Sequence, residues 1–241
     1  MRDYAKLDPL RHERTGVPEV ILAEGKLDDH LVGAARDMLA KSGRGLVSRL
    51  DPARAAPLLA LHAQARWSSE ARFLALGPEA PRTGGRVLVL AAGTADVPIA
   101  EEARLVAHEL GCETRRHYDV GVAGLHRLFP ALDDGASWAD VILVAAGREG
   151  ALATVVAGLV DRPVIGLPVS VGYGMGGKGE AALLSMLQAC APMAVVNIDA
   201  GFVAGALAAQ IANRVALARN SQGESRTPQR ETVQLASSRR E

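Results

Sequence analysis

The stretch VILVAAGREGALATVVAGLVDRPVIGLP, residues 141–168, decides the fold. It opens with six apolar residues typical of a buried strand, passes a glycine-flanked loop into a helical segment at 151–159, and ends in a second apolar strand at 163–168. A crossover through a helix returns the chain to the edge where the first strand began, so the two strands run parallel. The stretch therefore predicts a β-α-β unit.

The same alternation extends to both sides of this unit. Further strands are predicted at 87–92, 114–120 and 193–198, and further helices at 97–110, 124–132, 179–189 and 205–218. Strands that alternate with helices through short loops predict a doubly wound α/β fold, with helices on both faces of a parallel sheet. We assign this domain to residues 84–220.

The remaining chain predicts a smaller unit and a tail. Residues 17–77 show a β-α-β-α-β pattern after a polar lead, and the Gly- and Pro-rich linker GPEAPRTGG (77–85) separates them from the larger domain. The N-terminal α/β unit is therefore placed at residues 1–83. Residues 221–241 are polar and without periodicity, which predicts a disordered tail.

Composition excludes several classes of function. Among 241 residues, 27 Lys and Arg balance 27 Asp and Glu, so the chain lacks the broad basic field that non-specific nucleic-acid binding needs. Two cysteines do not make a disulfide framework or a paired zinc motif. The N-terminus lacks the apolar core of a signal peptide, and Gly, Pro and charges interrupt the apolar stretches. We predict a cytoplasmic protein that binds a small molecule rather than nucleic acid or membrane.

Ligands of such sheets bind beyond the carboxyl ends of the strands, which makes the loops after the strands the candidates. The loop GTAD contains Gly93, Thr94 and Asp96 at the start of a helix, where free N–H groups bind phosphate or carboxylate. An ordinary helix N-cap explains the same residues equally well.

The loop GYGMGGKG, residues 172–179, has five glycines in eight residues and allows close approach of a ligand. Lys178 offers a phosphate contact, but Gly179 and Glu180 follow it where a Walker A loop has Ser or Thr. The alternative is a flexible surface loop.

Four polar side chains follow two other strands. His126 and Arg127 come after one strand, and Arg148 and Glu149 come after the strand at 141–146. Either arginine suits an anionic ligand, although a single arginine is more often a surface charge and a single loop histidine is more often solvated. Glu149 lies at a strand end, where a general base can be presented.

The two cysteines differ in position. Cys112 follows a helix end and is interpreted as a packing residue. Cys190 ends the helix after the glycine-rich loop, and the negative end of a helix dipole does not support a thiolate. A nucleophilic Cys190 would therefore need cations such as Lys178, Arg148 or the substrate. From composition alone, an inert buried cysteine is the better interpretation.

Taken together, the loops resemble a known enzyme family. Residues 146–170, with GTAD and the segment 204–211, are similar to the PurE-type phosphoribosylaminoimidazole carboxylases. A narrower set resembles the LarB family, the pyridinium-3,5-biscarboxylic acid mononucleotide synthases of nickel-pincer nucleotide biosynthesis. It comprises RTGVPEVI (14–21), DVGVAGLHR (119–127), SVGYG (170–174), CAP (190–192) and VVNID (195–199).

The resemblance implies carboxylation by CO₂ of the pyridinium ring of nicotinic acid adenine dinucleotide, with cleavage of its phosphoanhydride to release AMP. In this reaction Cys190 would add to the ring as a thiolate, and Glu149 or Asp96 would remove the ring proton. Mg²⁺ would neutralise the phosphates, with Asp199 as its expected ligand. Family relatives also imply a homo-oligomer, an octamer.

The expected substrate contacts include Arg14 and Lys26 of the N-terminal unit, as charge-assisted donors to the diphosphate or the ring carboxylate, unless both are solvated surface charges. Two positions depart from the family pattern: Ala200 replaces an Asn, and Arg148 stands where Met is expected. Alternative functions are a purine-pathway aminoimidazole ribonucleotide carboxylase or mutase and a non-catalytic nucleotide-binding protein. The full set of expected contacts is Arg14, Lys26, Gly93, Thr94, His126, Arg127, Gly147, Arg148, Ser170, Gly172, Tyr173, Gly174, Lys178 and Asn197.

Overall fold

The computed structural model describes residues 6–221, which form two sheets with their helices. The predictions for residues 1–5 and 222–241, including most of the expected tail, lie outside the described part. The N-terminal unit contains helices α1 (Arg11–Thr15), α2 (Asp28–Ser42) and α3 (Ala56–Leu59), and strands β1 (Val20–Leu22), β2 (Gly45–Ser48), β3 (Arg66–Ser68) and β4 (Phe73–Leu76).

The N-terminal sheet is mixed, in the order β1-β2-β4-β3. Strands β1 and β2 run parallel, and β4 is antiparallel to both β2 and β3. Three expectations were wrong here. The lead contains α1, β3 was not predicted, and the second helix of the predicted β-α-β-α-β pattern is a short 3-10 turn (Pro52–Arg54) followed by α3. Pro57 at the start of α3 explains the break, because proline fits a first helical turn but not a helix interior.

The larger domain has one parallel sheet in the order β6-β5-β7-β8-β9. This flavodoxin-like order confirms the predicted doubly wound α/β fold. Its elements are β5 (Arg86–Ala91), α4 (Val97–Glu109), β6 (Glu113–His117), α5 (Leu125–Gly135), β7 (Val141–Ala146), α6 (Ala151–Ala157), β8 (Val164–Pro168), α7 (Glu180–Leu187), β9 (Ala194–Val195) and α8 (Gly201–Ser221).

Successive residues of the central strands point to opposite faces of this sheet. Val87 and Val89 of β5 pack with α4 and α8 on one face, and Leu88 and Leu90 pack with α5, α6 and α7 on the other. Both faces are therefore buried, which explains why the central strands are continuously apolar rather than alternating with polar residues.

Helix α8 is longer than predicted, since it begins at Gly201 and includes Ser221, which was assigned to the tail. Contrary to the sequence expectation, its 21 residues and mean hydropathy of 1.3 are sufficient for a membrane span. However, Ala204, Ala208 and Ala212 of α8 are fully buried in the core that it shares with α4. One face of the helix is therefore packed inside the domain, whereas Val203, Val215 and Leu217 of the same helix are exposed.

Helix α4 joins the two units. Glu102 and Glu109 lie two turns apart, on one face of α4, and both are buried. Glu102 accepts a hydrogen bond from Ser48 at the end of β2. Glu109 forms ion pairs of 2.8 Å with Arg44 and with Arg66, both from the N-terminal unit. Strand β3, which was not predicted, thus supplies Arg66, one of the two arginines that join the N-terminal unit to α4.

Candidate functional site

The crevice at the carboxyl end of the larger sheet contains most of the predicted site residues. Helix α4, which follows β5, and helix α6, which follows β7, lie on opposite faces, so their loops diverge between these two strands. A point where neighbouring loops diverge in this way is the usual ligand site of doubly wound sheets.

Asp96 connects the two diverging loops. Its Oδ2 accepts the Gly93 N–H at 2.8 Å, and its Oδ1 accepts the Gly147 N–H at 2.9 Å. Burial raises the pKa of the Asp96 carboxyl, and the two amide donors oppose that shift. A Cβ at Gly147 would lie 2.3 Å from the Val171 carbonyl oxygen. Because both carboxylate oxygens are engaged, Asp96 is better suited to positioning the loops than to proton transfer, and the exposed Glu149 is the stronger candidate base.

A pocket of about 250 Å³ lies between the loop after β7 and the glycine-rich loop. The Arg148 guanidinium stacks on the Tyr173 ring, 4.5 Å from its centroid, and Glu149 lies beside them. An aromatic ring, a cation and a carboxylate thus border one cavity. This combination suits a planar, anionic ligand that undergoes proton transfer. The cavity is completed by Gly176 and Ala181.

The loop after β9 supports the start of the glycine-rich loop. Asp199 Oδ1 accepts the Ser170 N–H at 2.8 Å, and the Asp199 N–H donates to the Pro168 carbonyl at 2.9 Å. Asn197 is exposed, and its side-chain oxygen accepts the Ile198 N–H. Within residues 6–221, no three His, Cys, Asp or Glu side chains form a group able to hold a metal. Asp199 can therefore offer Mg²⁺ only a single carboxylate, as is usual where substrate phosphates supply other ligands.

The glycine-rich loop makes several left-handed turns at this edge. Gly174 has φ 78°, and Lys178, which is exposed, has φ 58°. Gly172 passes close to Arg148, since a Cβ there would lie 3.7 Å from the Arg148 backbone. At Gly179, a Cβ would lie 2.7 Å from the side chain of Ile198. The glycines therefore allow the loop to fold against its neighbours.

The loop after β6 is also at this edge, but its cation is already paired. Arg127 forms an ion pair with Asp119, whose backbone is left-handed with φ 58°. His126 and Arg127 both lie close to Gly124, where a Cβ would meet each side chain within 3.2 Å. Thr94, on the loop after β5, is exposed. Arg127 would have to leave Asp119, or share it, in order to bind an anion.

Cys190 lies apart from these loops within one chain. Helix α7 starts at the carboxyl edge and runs back across the sheet, and Cys190 belongs to the connection from its end to the start of β9. The exposed thiol is therefore at the amino edge of its own sheet. The expectation that Cys190 lies beside the glycine-rich loop was wrong for a single chain. Helix direction is the reason, since α7 carries the chain away from that loop. Cys112 is buried, which raises the pKa of its thiol to about 12 and fits the predicted packing role.

The two cations predicted in the N-terminal unit also lie elsewhere. Arg14 is largely exposed and forms an ion pair with Asp8. The neighbouring Thr15 carbonyl accepts a hydrogen bond from Gln210, which is nine residues into α8 and hence about 14 Å along the helix from its start near the site. Lys26 is exposed, and its carbonyl accepts a hydrogen bond from Arg54. The structure does not bring Arg14 to the site loops.

Sequence reasoning missed the residues that connect the N-terminal unit to the site. Arg49, directly after β2, donates to the Asp199 carbonyl at 3.0 Å. Glu102 lies beneath the start of α8, where burial raises the pKa of its carboxyl against the opposing effects of Ser48, Arg49 and the Phe202 N–H. For Glu102 the available signal in the sequence was its spacing from Glu109, since seven residues place both carboxylates on one face of a helix.

Two known protein families match the chain, one for each of its two units. Residues 1–78 match the family described as the LarB/PurE-like N-terminal domain, and residues 86–230 match the AIR carboxylase family. An uncharacterized protein of Methanocaldococcus jannaschii is 41% identical over 227 residues, which cover 88% of this chain and 85% of that protein.

Two further relatives match about half of the chain. A probable N5-carboxyaminoimidazole ribonucleotide mutase of Methanothermobacter thermautotrophicus is 35% identical over 131 residues, 52% of this chain and 37% of that protein. An N5-carboxyaminoimidazole ribonucleotide mutase of Methanocaldococcus jannaschii is 35% identical over 129 residues, 52% of this chain and 77% of that protein.

The flavodoxin-like sheet and the loops at its carboxyl edge thus define an enzyme of the AIR carboxylase class, acting on a small molecule. The N-terminal match and the relative that spans both units narrow this class. The chain belongs to the LarB family.

Proposed function

We propose that this protein carboxylates the pyridinium ring of nicotinic acid adenine dinucleotide with CO₂. It also hydrolyses the phosphoanhydride, to give pyridinium-3,5-biscarboxylic acid mononucleotide and AMP. The proposal depends on one observation above all, the LarB/PurE-like N-terminal domain joined to an AIR carboxylase domain. An expected cytoplasmic location agrees with a soluble dinucleotide substrate.

The ring chemistry explains why a thiol is needed. A pyridinium ring is electron-poor and does not attack CO₂. When the Cys190 thiolate adds, a C–S bond forms and the ring becomes an enamine, whose neighbouring carbon forms a C–C bond with CO₂. A base removes the proton from that carbon, and the freed electron pair restores the aromatic ring as the C–S bond breaks. Glu149 is the base that we propose.

The proposed role of Cys190 as the nucleophile calls for a second copy of the chain. The thiol lies at the amino edge of its own sheet, whereas Glu149 and Arg148 lie at the carboxyl edge. We therefore propose that Cys190 of one copy serves the crevice of a neighbouring copy, in a homo-oligomer such as the octamer that the family resemblance predicts. Symmetric contacts between copies repeat such a shared site at every interface.

The pocket residues give the substrate its orientation. Tyr173 offers a face for the planar ring, and the Arg148 cation beside it binds the ring carboxylate or a phosphate oxygen. When bound, Mg²⁺ at Asp199 would neutralise charge on the phosphoanhydride. Arg148 departs from the family pattern, so this proposed contact would be absent from relatives that carry Met at that position.

The direct test is a turnover assay. Purified protein is incubated with nicotinic acid adenine dinucleotide, isotopically labelled bicarbonate and Mg²⁺, and the products are identified by mass spectrometry. We expect a labelled biscarboxylated mononucleotide and AMP. Cys190→Ala should abolish ring carboxylation, whereas the matched variant Cys112→Ala should retain it, because that thiol is buried and packs against Asn213.

Other outcomes identify the alternative functions. Conversion of carboxylated aminoimidazole ribonucleotide, with the dinucleotide unchanged, would establish the mutase reaction of the relatives that match half of the chain. Binding of the dinucleotide without any product, in protein that is folded and oligomeric, would instead indicate a nucleotide-binding protein.

A further inference from the structure

One arginine at the end of β2 contacts both the N-terminal unit and the loop after β9. Arg49 adopts a left-handed backbone conformation with φ 55°, and its side chain reaches the larger domain. One guanidinium nitrogen, Nη1, pairs with Glu24 of the N-terminal unit at 3.0 Å. The other, Nη2, donates to the Asp199 carbonyl, also at 3.0 Å. Arg49 thus bridges the N-terminal unit and the loop after β9.

Asp199 transmits this contact to the glycine-rich loop. Its backbone is also left-handed, with φ 54°, so its carbonyl meets Arg49 while its carboxylate holds the Ser170 N–H at 2.8 Å. One residue further along, the Val171 carbonyl accepts the Arg148 N–H at 2.9 Å. A continuous series of hydrogen bonds therefore leads from Arg49 to the pocket that contains Arg148.

The surroundings leave the Asp199 turn little freedom on its other side. A Cβ at Gly201 would lie 2.4 Å from Glu102 Oε2 and 2.9 Å from the Ile99 carbonyl, so the start of α8 already touches α4. Ser48, next to Arg49, donates to the same Glu102. The turn is therefore enclosed by α4 on one side and by the end of β2 on the other.

We propose that Arg49 is a positioning residue: through Asp199 it fixes Ser170 and Val171, and thereby sets the geometry of the pocket at Arg148 and Tyr173. The N-terminal unit then acts on the site by orienting the glycine-rich loop, not by contacting substrate through Arg14. The effect on the loop is independent of the reaction, whereas its effect on turnover rests on the proposed function.

Hydrogen exchange of the full-length protein, followed by mass spectrometry, tests the effect on the loop. In Arg49→Met, the amides of residues 169–179 should exchange roughly tenfold faster, because the charged hydrogen bond that supports the Asp199 turn is lost. Peptides from the central strand β7 should be unchanged. The matched control is Arg44→Met, which removes another arginine of the N-terminal unit that bonds to α4, at Glu109, far from the loop.

Faster exchange at 169–179 in Arg49→Met but not in Arg44→Met supports the proposal. Unchanged exchange there, or the same change in both variants, overturns it. If amide exchange is faster throughout the chain in Arg49→Met, the test is repeated with Arg49→Lys. Lysine retains a cation near Glu24 but lacks the two guanidinium nitrogens that bond Glu24 and the Asp199 carbonyl. Selective acceleration at 169–179 again supports the proposal, and uniform or no acceleration overturns it.

Turnover provides a second readout. Arg49→Met should lower kcat/KM for nicotinic acid adenine dinucleotide roughly tenfold, with Arg49→Lys intermediate and Arg44→Met near wild type. If the wild-type protein proves inactive on this substrate, the proposed function fails, while the exchange result still decides the role of Arg49.

Discussion

Two adjacent carboxylates on α4 have pKa values shifted in opposite directions by their surroundings. Glu101 and Glu102 are both buried. For Glu101, hydrogen bonds from Arg104 and Tyr118 outweigh burial and lower the pKa of its carboxyl. For Glu102, burial outweighs its donors and raises the pKa above its ordinary value of 4.5. Successive side chains of a helix point about 100° apart. Glu101 therefore faces an arginine-rich surface, while Glu102 faces the contact between the two units.

This contrast predicts opposite pH dependence for two matched variants. The raised pKa of Glu102 means that its contribution to folding is greatest below pH 4.5 and is lost as the pH rises through the folded-state pKa. The melting temperature of Glu102→Gln, relative to wild type, should therefore increase as the pH rises from about 4 to 8. The lowered pKa of Glu101 has the reverse consequence, so the deficit of Glu101→Gln should be largest near neutral pH and shrink in acid. Thermal melts across this range check both, and parallel slopes for the two variants would contradict the assignment.

The close packing of α4 and α8 explains why small residues dominate these helices. Gly205 of α8 approaches α4 so closely that a Cβ would lie 2.2 Å from the Ala103 carbonyl oxygen and 2.9 Å from the Val106 Cβ. Alanines on both helices complete the contact. Helix α8 begins two residues after Asp199, so this contact lies next to the turn that supports the site loops.

A pair of glycine substitutions tests this contact at the level of the helix. Gly205→Ala should destabilise the fold by about 1–3 kcal/mol, because overpacking forces the helices apart. Gly33→Ala, inside α2, has nothing within 4 Å of the added Cβ and should stabilise by about 0.5–1 kcal/mol through helix propensity. Urea denaturation measures both free energies of unfolding. Equal effects of the two substitutions would show that α4 and α8 are not in tight contact.

In the whole molecule, the Cys190 thiol and the pocket at Arg148 and Glu149 lie at opposite edges of the larger sheet. Within one chain, Cys190 precedes β9 and Glu149 follows β7, so they lie at opposite edges of the parallel sheet. In the proposed homo-oligomer, contacts between copies would bring opposite edges together without any rearrangement of the subunit. The proposed reaction therefore depends on quaternary structure as much as on the fold.

Co-assembly of two inactive variants tests this dependence. Cys190→Ala and Glu149→Gln should each be inactive in ring carboxylation when alone. When they are co-expressed at equal levels, mixed oligomers should recover about a quarter of wild-type activity, since one in four shared sites combines an intact thiol with an intact carboxylate. Activity is assayed on purified oligomers that contain both tagged variants. No recovery, in oligomers shown to be mixed, would place both groups in the same chain's site.

The sequence by itself determined the architecture of the larger domain. Continuous apolar runs such as 141–146 are long enough to specify buried parallel strands, and the helices between them leave the doubly wound order as the natural arrangement. The same logic placed most candidate loops at one edge of the sheet, because that edge follows from strand direction. Short elements such as β3 and α3 were not predictable, since their stability comes from neighbours rather than from local periodicity.

Only the tertiary structure decided which side chains meet. Asp96 faces two loop amides instead of the solvent, Arg14 pairs with Asp8, and Cys190 lies at the far edge of its sheet. Arg49 and Glu102 became relevant because the end of β2 contacts α4 and the turn that precedes α8. The Arg49–Asp199 and Ser48–Glu102 contacts join residues that are 150 and 54 positions apart. No local pattern encodes them, because the direction of a side chain in space depends on how whole elements pack.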